Sequence, residues 1–191
     1  MAEPASRALA LAVRIATSFD EEAIPYAVGG ALALGAWGAQ RATQDVDMSV
    51  FVDEAELPRV LDALERAGVQ VDRVAAARDV SRVGMFKAFG GRTQVDLFLT
   101  SHPQYDAMHQ RRRTVAEPAS GYPLQFISPE DLCIHKLIYG RDKDAVDLTR
   151  LFAAQPALDV AYVRGWLVQM LPAGDRRFAV LDDLERRFAA Q

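Results

Sequence analysis

A chain of 191 residues is long enough for one domain, or for one domain with a small appendage. Half of its residues are hydrophobic and a quarter are charged, and its formal net charge of −4 excludes a surface built entirely for nucleic acid, although it leaves room for a local basic patch. Its single cysteine, Cys133, excludes an internal disulfide and favours a reducing, cytoplasmic compartment.

The first part of the chain predicts a helix, a short strand and a glycine turn. Apolar residues recur at helical spacing over about 5–22, and this segment lacks the basic start and the cleavage site of a signal peptide. Residues 24–28 are a strand candidate, and the pair Gly29-Gly30 is a turn signal. Because a proline and these glycines interrupt the uncharged stretch 23–40, we expect no membrane span there.

The next segments predict a strand, a helix and a hairpin. Residues 45–52 contain β-branched and aromatic residues and predict a strand, while 53–67 has the start and stop signals of a helix. Residues 83–89 and 93–99 flank a Gly-Gly-Arg turn, which is typical of two antiparallel strands joined by a tight loop.

The second half of the chain predicts mostly helices. Residues 124–127 are a short strand candidate, and Ser128-Pro129-Glu130-Asp131 is typical of a helix start, with serine as N-cap and acids in the first turn. We therefore expect an α/β (α+β) chain with two parts. Residues 1–115 would form an α/β core, and residues 116–191 a mainly helical part packed on it.

Two carboxylates lie at the start of the strand predicted over 45–52. Asp45 and Asp47 are two residues apart, so on a strand they project from the same face. Like charges about 4 Å apart repel by about 4 kcal/mol at an effective dielectric of about 20. A shared proton, a nearby cation such as Arg41, or a bound divalent metal would offset that repulsion.

A third acid, Asp96, lies within the apolar strand predicted over 93–99. A carboxylate between Val95 and Leu97 is costly to bury unless it faces a site. If this strand neighbours the strand that carries Asp45 and Asp47, three carboxylates converge. Such a group suits Mg²⁺, which prefers oxygen ligands and substrate phosphates, and two such ions could activate an attacking oxygen and stabilise a leaving pyrophosphate.

The glycine pair completes this pattern. Gly29 and Gly30 lie between a predicted strand and a predicted helix, where glycines let backbone N–H groups approach a phosphate. The Lys and Ser or Thr of a P-loop do not follow them, so the segment is not a P-loop.

The order of these motifs resembles that of a known family. Gly29-Gly30, then Asp45-Val46-Asp47, then Asp96 on a later strand resembles the DNA polymerase β-like nucleotidyltransferase superfamily. Further motifs are similar to those of the AbiE-type (AbiEii-like) toxin nucleotidyltransferases. These motifs are Arg41-x-Thr43 before the paired acids, the segment Ile127 to Leu132, Lys136, and Arg141-x-Lys143-Asp144 followed by Asp147-Leu148. The resemblance covers about residues 25–152.

The resemblance implies a nucleotidyltransferase fold, a small mixed β-sheet flanked by helices, with residues 1–115 as the catalytic core. It implies that Asp45, Asp47 and Asp96 are catalytic and hold two Mg²⁺ ions, with Asp96 also taking a proton from an acceptor hydroxyl. The nucleotide-binding residues that it implies are Gly29 and Gly30 on the triphosphate, Arg41, Thr43, Lys136 against the phosphates, and Asp144 beside Lys136 or on the base or sugar.

Several of these residues also have a plain structural interpretation. Arg41 could pair structurally with Asp45 or Asp47, and Thr43 could be a turn or cap residue. Lys136 could simply face water near a helix end. The basic run 111–113 is usually an exposed helix end, although it could help a nucleic acid to dock.

The leading hypothesis is a Mg²⁺-dependent nucleotidyltransferase that moves a nucleoside monophosphate from an NTP to an acceptor hydroxyl. The toxin resemblance implies an RNA such as tRNA, or a protein, as the acceptor, and an antitoxin protein as a partner. One alternative is a small-molecule acceptor, as in antibiotic nucleotidyltransferases. The other is a nucleotide-binding module that has lost turnover.

Overall fold

The structure, a computed structural model, describes residues 4–99 and 102–188, and residues 1–3, 100–101 and 189–191 lie outside that description. In chain order the elements are α1 (Pro4–Glu21), β1 (Tyr26–Val28), α2 (Gly30–Ala36), β2 (Val46–Val50), a 3-10 turn (Glu54–Glu56), α3 (Leu57–Arg66), α4 (Arg73–Val83), β3 (Met85–Gly90), β4 (Thr93–Leu99), α5 (Pro103–Arg111), β5 (Arg113–Ala116), β6 (Pro123–Phe126), α6 (Pro129–Tyr139), α7 (Asp142–Ala154), α8 (Val160–Met170) and α9 (Arg176–Phe188). Among the described helices, none is both long enough and apolar enough to cross a membrane.

The chain divides into two compact units. The sheet unit comprises the chain up to Leu32 together with Ala42–Ile127, and the helical unit comprises Ala33–Arg41 together with the chain from Ser128. The hairpin of β5 and β6 therefore belongs to the sheet unit. The functional division at residue 115 stays a prediction.

The sheet unit is built on one mixed sheet of six strands in the order β3-β4-β2-β1-β6-β5 within the described residues. Strand β2 runs parallel to β4 and antiparallel to β1, while β1 runs parallel to β6. The outer pairs β3–β4 and β5–β6 are antiparallel. The predicted α/β class, the mixed sheet and the hairpin around the Gly-Gly-Arg turn are therefore confirmed.

One face of this sheet forms the core. Along β4 the buried side chains alternate with half-buried ones, and along β2 every residue except Asp47 is buried. The buried apolar residues of these two parallel strands are Val46, Met48, Val50, Val95, Leu97 and Leu99. Helix α1 packs on this sheet and on α3, and the Ser18 hydroxyl donates a hydrogen bond to the Ala63 carbonyl at 2.7 Å. A Cβ at Gly90 would lie 2.7 Å from Leu11 Cδ1, so any larger residue at this end of the hairpin would displace the Leu11 side chain of α1.

The helical unit is organised around α6, which packs on α7, α8 and α9. The predicted start of α6 is confirmed, since the Ser128 hydroxyl accepts a hydrogen bond from the Asp131 amide at 3.1 Å. Gly140, with φ of +59°, ends the helix in the left-handed conformation that glycine adopts freely. The helix is buried along most of its length, including Leu132, Cys133 and Ile134.

Two local features differ from the sequence prediction. The helix predicted over 53–67 begins as the 3-10 turn, and α3 starts only at Leu57, with Pro58 in its first turn where the missing N–H costs nothing. Helix α4 was not predicted, because only Ala76 and Val80 of its side chains are buried and the apolar stripe is therefore narrow.

Candidate active site

Two of the predicted carboxylates occupy paired positions on neighbouring strands. Asp47 on β2 is in register with Asp96 on β4, and Lys87 on β3 is in register with Asp96 from the other side. Paired residues on adjacent strands project from the same face of a sheet. Three charged side chains therefore form one row across β2, β4 and β3, on the face opposite the core, and we call them the charged row.

The members of the charged row are open to solvent to different degrees. Asp47 and Asp96 are half-buried, and Lys87 is exposed. The Lys87 ammonium lies 3.3 Å from Oδ1 of Asp96. The Gln94 side-chain amide donates a second hydrogen bond to the same Oδ1 at 2.8 Å.

The glycine pair lies directly against Asp47. The Gly29 amide donates a hydrogen bond to the Asp47 carbonyl at 2.8 Å. Gly30 has φ of +56°, and a Cβ there would lie 2.6 Å from Cγ of Asp47 and would overlap Oδ2. Both the positive φ and the close approach of the Asp47 side chain therefore require glycine at position 30. As a result, the backbone of Gly30 lies directly beside the Asp47 carboxylate.

The third predicted carboxylate, Asp45, lies just before β2 rather than on it, and it is exposed. Its backbone is fixed by Thr43, whose hydroxyl is 3.2 Å from both the amide nitrogen and the carbonyl oxygen of Asp45. Thr43 is therefore a turn residue at the entrance to β2, as one of its two interpretations predicted.

The residues of the charged row fit a hard cation in donor type. Carboxylate oxygens are the ligands that Mg²⁺ prefers, and Asp47 and Asp96 present them from paired positions. Over residues 4–99 and 102–188, no group of three or more His, Cys, Asp or Glu side chains stands close enough together to hold a metal ion. The pair Asp47–Asp96, and not a closed cage with Asp45, is thus the arrangement that the structure presents.

A second set of charges lies in the helical unit. Lys136 on α6 is buried, and its ammonium is 2.6 Å from Asp147 Oδ2 and 3.5 Å from Asp144 Oδ1 on α7. Arg41 Nε donates to both carboxylate oxygens of Asp147 at 3.0 and 3.1 Å. Arg141 Nε donates to Asp144 Oδ2 at 2.7 Å. We call these five residues the buried cluster.

The buried cluster is closed by its own ion pairs. Asp144 and Asp147 are 0% and 1% exposed, so each depends on its partners for charge compensation. Burial raises the pKa of Asp144, but hydrogen bonds from Arg141 and the charges of Arg141 and Lys136 outweigh that effect and leave the pKa below its usual value. The cluster ties α6, α7 and the 33–41 segment together, and a nucleotide contact by Arg41, Lys136 or Asp144 stays a prediction.

Three residues of these two sets were not singled out from the sequence as partners. Lys87 and Gln94 flank Asp96, and Asp147 bridges Lys136 to Arg41. The sequence does contain a signal that places Lys87 beside Asp96. The two-residue hairpin loop fixes the register of the two strands, and with it the residue that lies opposite Asp96. Asp147 and Arg41 are 106 residues apart in the chain, and no local pattern connects them.

The basic run 111–113 is not an exposed helix end. Arg111 is the last residue of α5, Arg112 follows it, and Arg113 begins β5. Arg111 and Arg112 are half-buried, and Arg112 donates to the His109 carbonyl at 2.6 Å. Of the three arginines, only Arg113 is exposed.

Cys133 offers no nucleophile. Burial raises the pKa of its thiol, which keeps it protonated and inert.

Comparison with known proteins establishes the fold. No protein-family model matches the chain, and no curated protein matches it significantly. The solution structure of the antibiotic-resistance factor ANT(2'')-Ia matches with a TM-score of 0.54 and 17% sequence identity, over 97% of this chain and 95% of that one. The crystal structure of ANT(2'')-Ia in complex with adenylyl-2''-tobramycin matches with a TM-score of 0.54 and 16% identity, over 92% and 95%. The predicted nucleotidyltransferase fold is therefore confirmed.

Proposed function

We propose that the protein is a Mg²⁺-dependent nucleotidyltransferase, which moves a nucleoside monophosphate from an NTP to an acceptor hydroxyl and releases pyrophosphate. The observation that carries this proposal is the register pairing of Asp47 with Asp96 beside Gly30, on a chain with the nucleotidyltransferase fold. Two carboxylates directly opposite each other on adjacent strands destabilise a sheet, and a cation bound between them would offset that cost.

In this proposal Asp47 and Asp96, with Asp45 at the entrance to β2, hold the metal. When bound, Mg²⁺ supplies neutralising charge for the phosphates and for the leaving pyrophosphate. Gly29 and Gly30 admit the triphosphate because they place no side chain in its way. The Asp96 carboxylate accepts the proton of the acceptor hydroxyl.

The remaining predicted nucleotide-binding residues have a supporting place in the proposal. Thr43 fixes the turn that presents Asp45. Lys136 and Asp144 are engaged in the buried cluster, where they hold α6, α7 and Asp147 in place, and Asp147 in turn holds the Arg41 guanidinium. Of Arg41, Lys136 and Asp144, Arg41 is the one whose side chain remains partly exposed, at 26%.

Two acceptor classes compete within this proposal. The motifs shared with AbiE-type toxins favour RNA, tRNA in particular, or a protein, with an antitoxin as a partner. Against an RNA-binding role for the run 111–113 stands the partial burial of two of its three arginines. A small-molecule acceptor is favoured by the match to a structure that contains adenylyl-2''-tobramycin, since the match spans nearly the whole of both chains.

The proposal is tested by incubating the protein with each α-labelled NTP and Mg²⁺. Total RNA, cell lysate protein or a panel of aminoglycosides is added in separate reactions. We expect pyrophosphate release and label in one of these acceptor fractions, and loss of both with EDTA. Asp47→Asn should lower the rate at least a thousandfold, because it removes a charge that acts on the reacting phosphates.

The control is Asp53→Asn, which removes an exposed carboxylate three residues beyond β2 and should leave the rate unchanged. NTP binding without label in any fraction would favour the silent nucleotide-binding module and contradict the transfer reaction. For the toxin form of the proposal, expression should slow growth and Asp47→Ala should relieve the effect. Equal harm from both proteins would exclude that form.

A further inference from the structure

The charged row contains one member that the proposed reaction does not use. Lys87 lies on the edge strand β3 and directs its ammonium at Asp96, one of the carboxylates assigned to the metal. We propose that Lys87 is a positioning residue for Asp96 and a built-in counter-ion, with which a divalent cation competes at the Asp47–Asp96 pair. This inference rests on the proposed function, because it assigns a cation to that pair.

The hydrogen bonds to Asp96 orient its carboxylate. Within the described chain, both donors to this side chain, Lys87 Nζ and Gln94 Nε2, act on Oδ1. Oδ2 is therefore the oxygen left to bind a cation or to take a proton. A carboxylate held through one oxygen keeps a fixed direction, which is what a positioned ligand or base needs.

The fold holds Lys87 in this place. The β3–β4 hairpin pairs Gly90 with Thr93 and Lys87 with Asp96, so the short loop fixes the register. Phe86 and Ala88, on either side of Lys87, are 2% and 1% exposed. A slip by one residue would move both into solvent and Lys87 into the core, and the register is therefore strongly specified.

The electrostatic need for a counter-ion follows from the pairing. Asp47 and Asp96 are adjacent in the sheet and repel each other, which is unfavourable for like charges in directly opposed positions. Lys87 supplies the positive charge nearest to Asp96. Its side chain is 55% exposed, so the attraction is screened and a doubly charged cation can outcompete it.

The choice of lysine also fits this role. The chain has only 3 lysines among its 22 basic residues, so arginine is its usual cation. An arginine fork tends to bind both oxygens of a carboxylate, whereas an ammonium is a compact point charge that binds one. A lysine at position 87 neutralises Asp96 and leaves Oδ2 available.

The first test measures cation affinity, with Mn²⁺ alone as the probe and electron paramagnetic resonance of free Mn²⁺ as the readout. Lys87→Met removes the charge and keeps most of the stem, and it should bind Mn²⁺ about three- to tenfold more tightly than the wild type, because a screened unit charge beside the site is gone. Lys87→Arg keeps the charge, but its fork can bind both oxygens of Asp96, so it should bind Mn²⁺ more weakly than the wild type. Asp47→Asn should abolish the binding in either background, which locates the site.

The matched control is Lys143→Met on α7, another exposed lysine, which should leave Mn²⁺ affinity unchanged. Lys87→Gln repeats the test should the methionine variant fold poorly. Unchanged or weaker Mn²⁺ binding in folded Lys87→Met and Lys87→Gln would overturn the proposal. A wild-type protein that binds no Mn²⁺ at the Asp47–Asp96 pair would overturn it as well.

The second test separates positioning from a purely structural role. With the acceptor found as above, Lys87→Met should lower kcat about tenfold or more and change KM for the NTP little, because Asp96 loses its fixed direction but the triphosphate site is intact. Lys87→Arg should restore little of the rate, because its fork can occupy Oδ2 of Asp96 as well. A wild-type protein that transfers no nucleotide contradicts the proposed function, and the Mn²⁺ measurement still decides this inference. Normal transfer and normal Mn²⁺ affinity in Lys87→Met would refute the inference alone.

Discussion

The charged row of the sheet unit and the buried cluster of the helical unit use the same kinds of side chain in opposite surroundings. In the row, two half-buried carboxylates face one exposed ammonium on the sheet face opposite the core. In the cluster, two carboxylates face three cations, and Asp144, Asp147 and Lys136 are all almost fully buried. The row holds two acids and one base, while the cluster holds two acids and three bases.

This difference separates two roles that the sequence alone does not separate. A buried charge must be paired, because its desolvation costs several kcal/mol, and the pairing then serves the fold. A half-exposed carboxylate on a sheet face carries a smaller penalty and can exchange a protein partner for a bound cation. Lys136 and Lys87 look alike as sequence, yet the first holds helices together and the second stands at the candidate active site.

The largest effect should come from breaking the buried cluster. Asp147→Asn leaves Lys136 buried without its closest charge partner and removes the carboxylate that Arg41 binds through both oxygens. We expect the free energy of unfolding to fall by about 3–5 kcal/mol. Urea denaturation followed by far-UV circular dichroism would measure it.

A substitution in the charged row should cost much less stability than one in the buried cluster. Asp47→Asn should change the free energy of unfolding by less than about 1 kcal/mol, because it relieves repulsion with Asp96 at a half-exposed position. Asp142→Asn, an exposed acid on α7, controls for a change of charge on that helix. Equal losses of stability in Asp147→Asn and Asp47→Asn would show that the two regions do not differ in this way.

Most of what positions the candidate site could be predicted from the sequence. Periodicity and turn chemistry predicted the hairpin, and Asp96 was recognised because a carboxylate is out of place between Val95 and Leu97. The glycine pair beside Asp47 was recognised for its missing side chains. These features are local, or they follow from strand alternation, and local physics determines them.

What could not be predicted depends on contacts that are distant in the chain. The bond from Arg41 to Asp147 joins residues 106 positions apart, and the burial of Lys136 comes from the packing of α6 among three helices. Helix α4 was missed because its apolar stripe is narrow. Lys87 could have been placed by counting outward from the hairpin loop, since the register pairs it with Asp96.

A smaller loss of stability is expected at the glycine that supports the charged row. Gly30→Ala combines an unfavourable positive φ with overlap between the new Cβ and Asp47 Oδ2. The φ contributes about 1–2 kcal/mol, the overlap about 1–3 kcal/mol, and we expect a total of about 2–4 kcal/mol. Because the substitution displaces Asp47, nucleotidyl transfer should be lost even at temperatures where the variant is folded.

Gly121→Ala is the matched control for that substitution. Gly121 also has a positive φ, of +72°, but a Cβ there would meet no atom within 4 Å. It should therefore show only the conformational part of the cost, about 1–2 kcal/mol, with transfer unaffected. Thermal unfolding would rank the two variants, and equal shifts in Tm would indicate that Asp47 does not press against Gly30.

A further small effect concerns the pH dependence that burial, with the charge of Lys136, gives to His135. Burial and the charge of Lys136 lower the pKa of His135 to about 4, from 6.5 in the unfolded chain. The unfolded state therefore binds more protons between these values, and stability falls as the pH drops from 6.5 towards 4. His135→Gln should reduce this loss of stability by about 1–2 kcal/mol, since the side chain is partly exposed.

The comparison in the sheet unit is His109, whose pKa is also lowered by burial and by the charge of Arg112. His109→Gln should therefore reduce the loss of stability over the same pH range by a smaller amount. Unfolding free energies measured at several pH values between 4 and 7 would compare the two variants, and a larger effect at His109 would contradict the expectation that the pKa of His135 is the more strongly lowered.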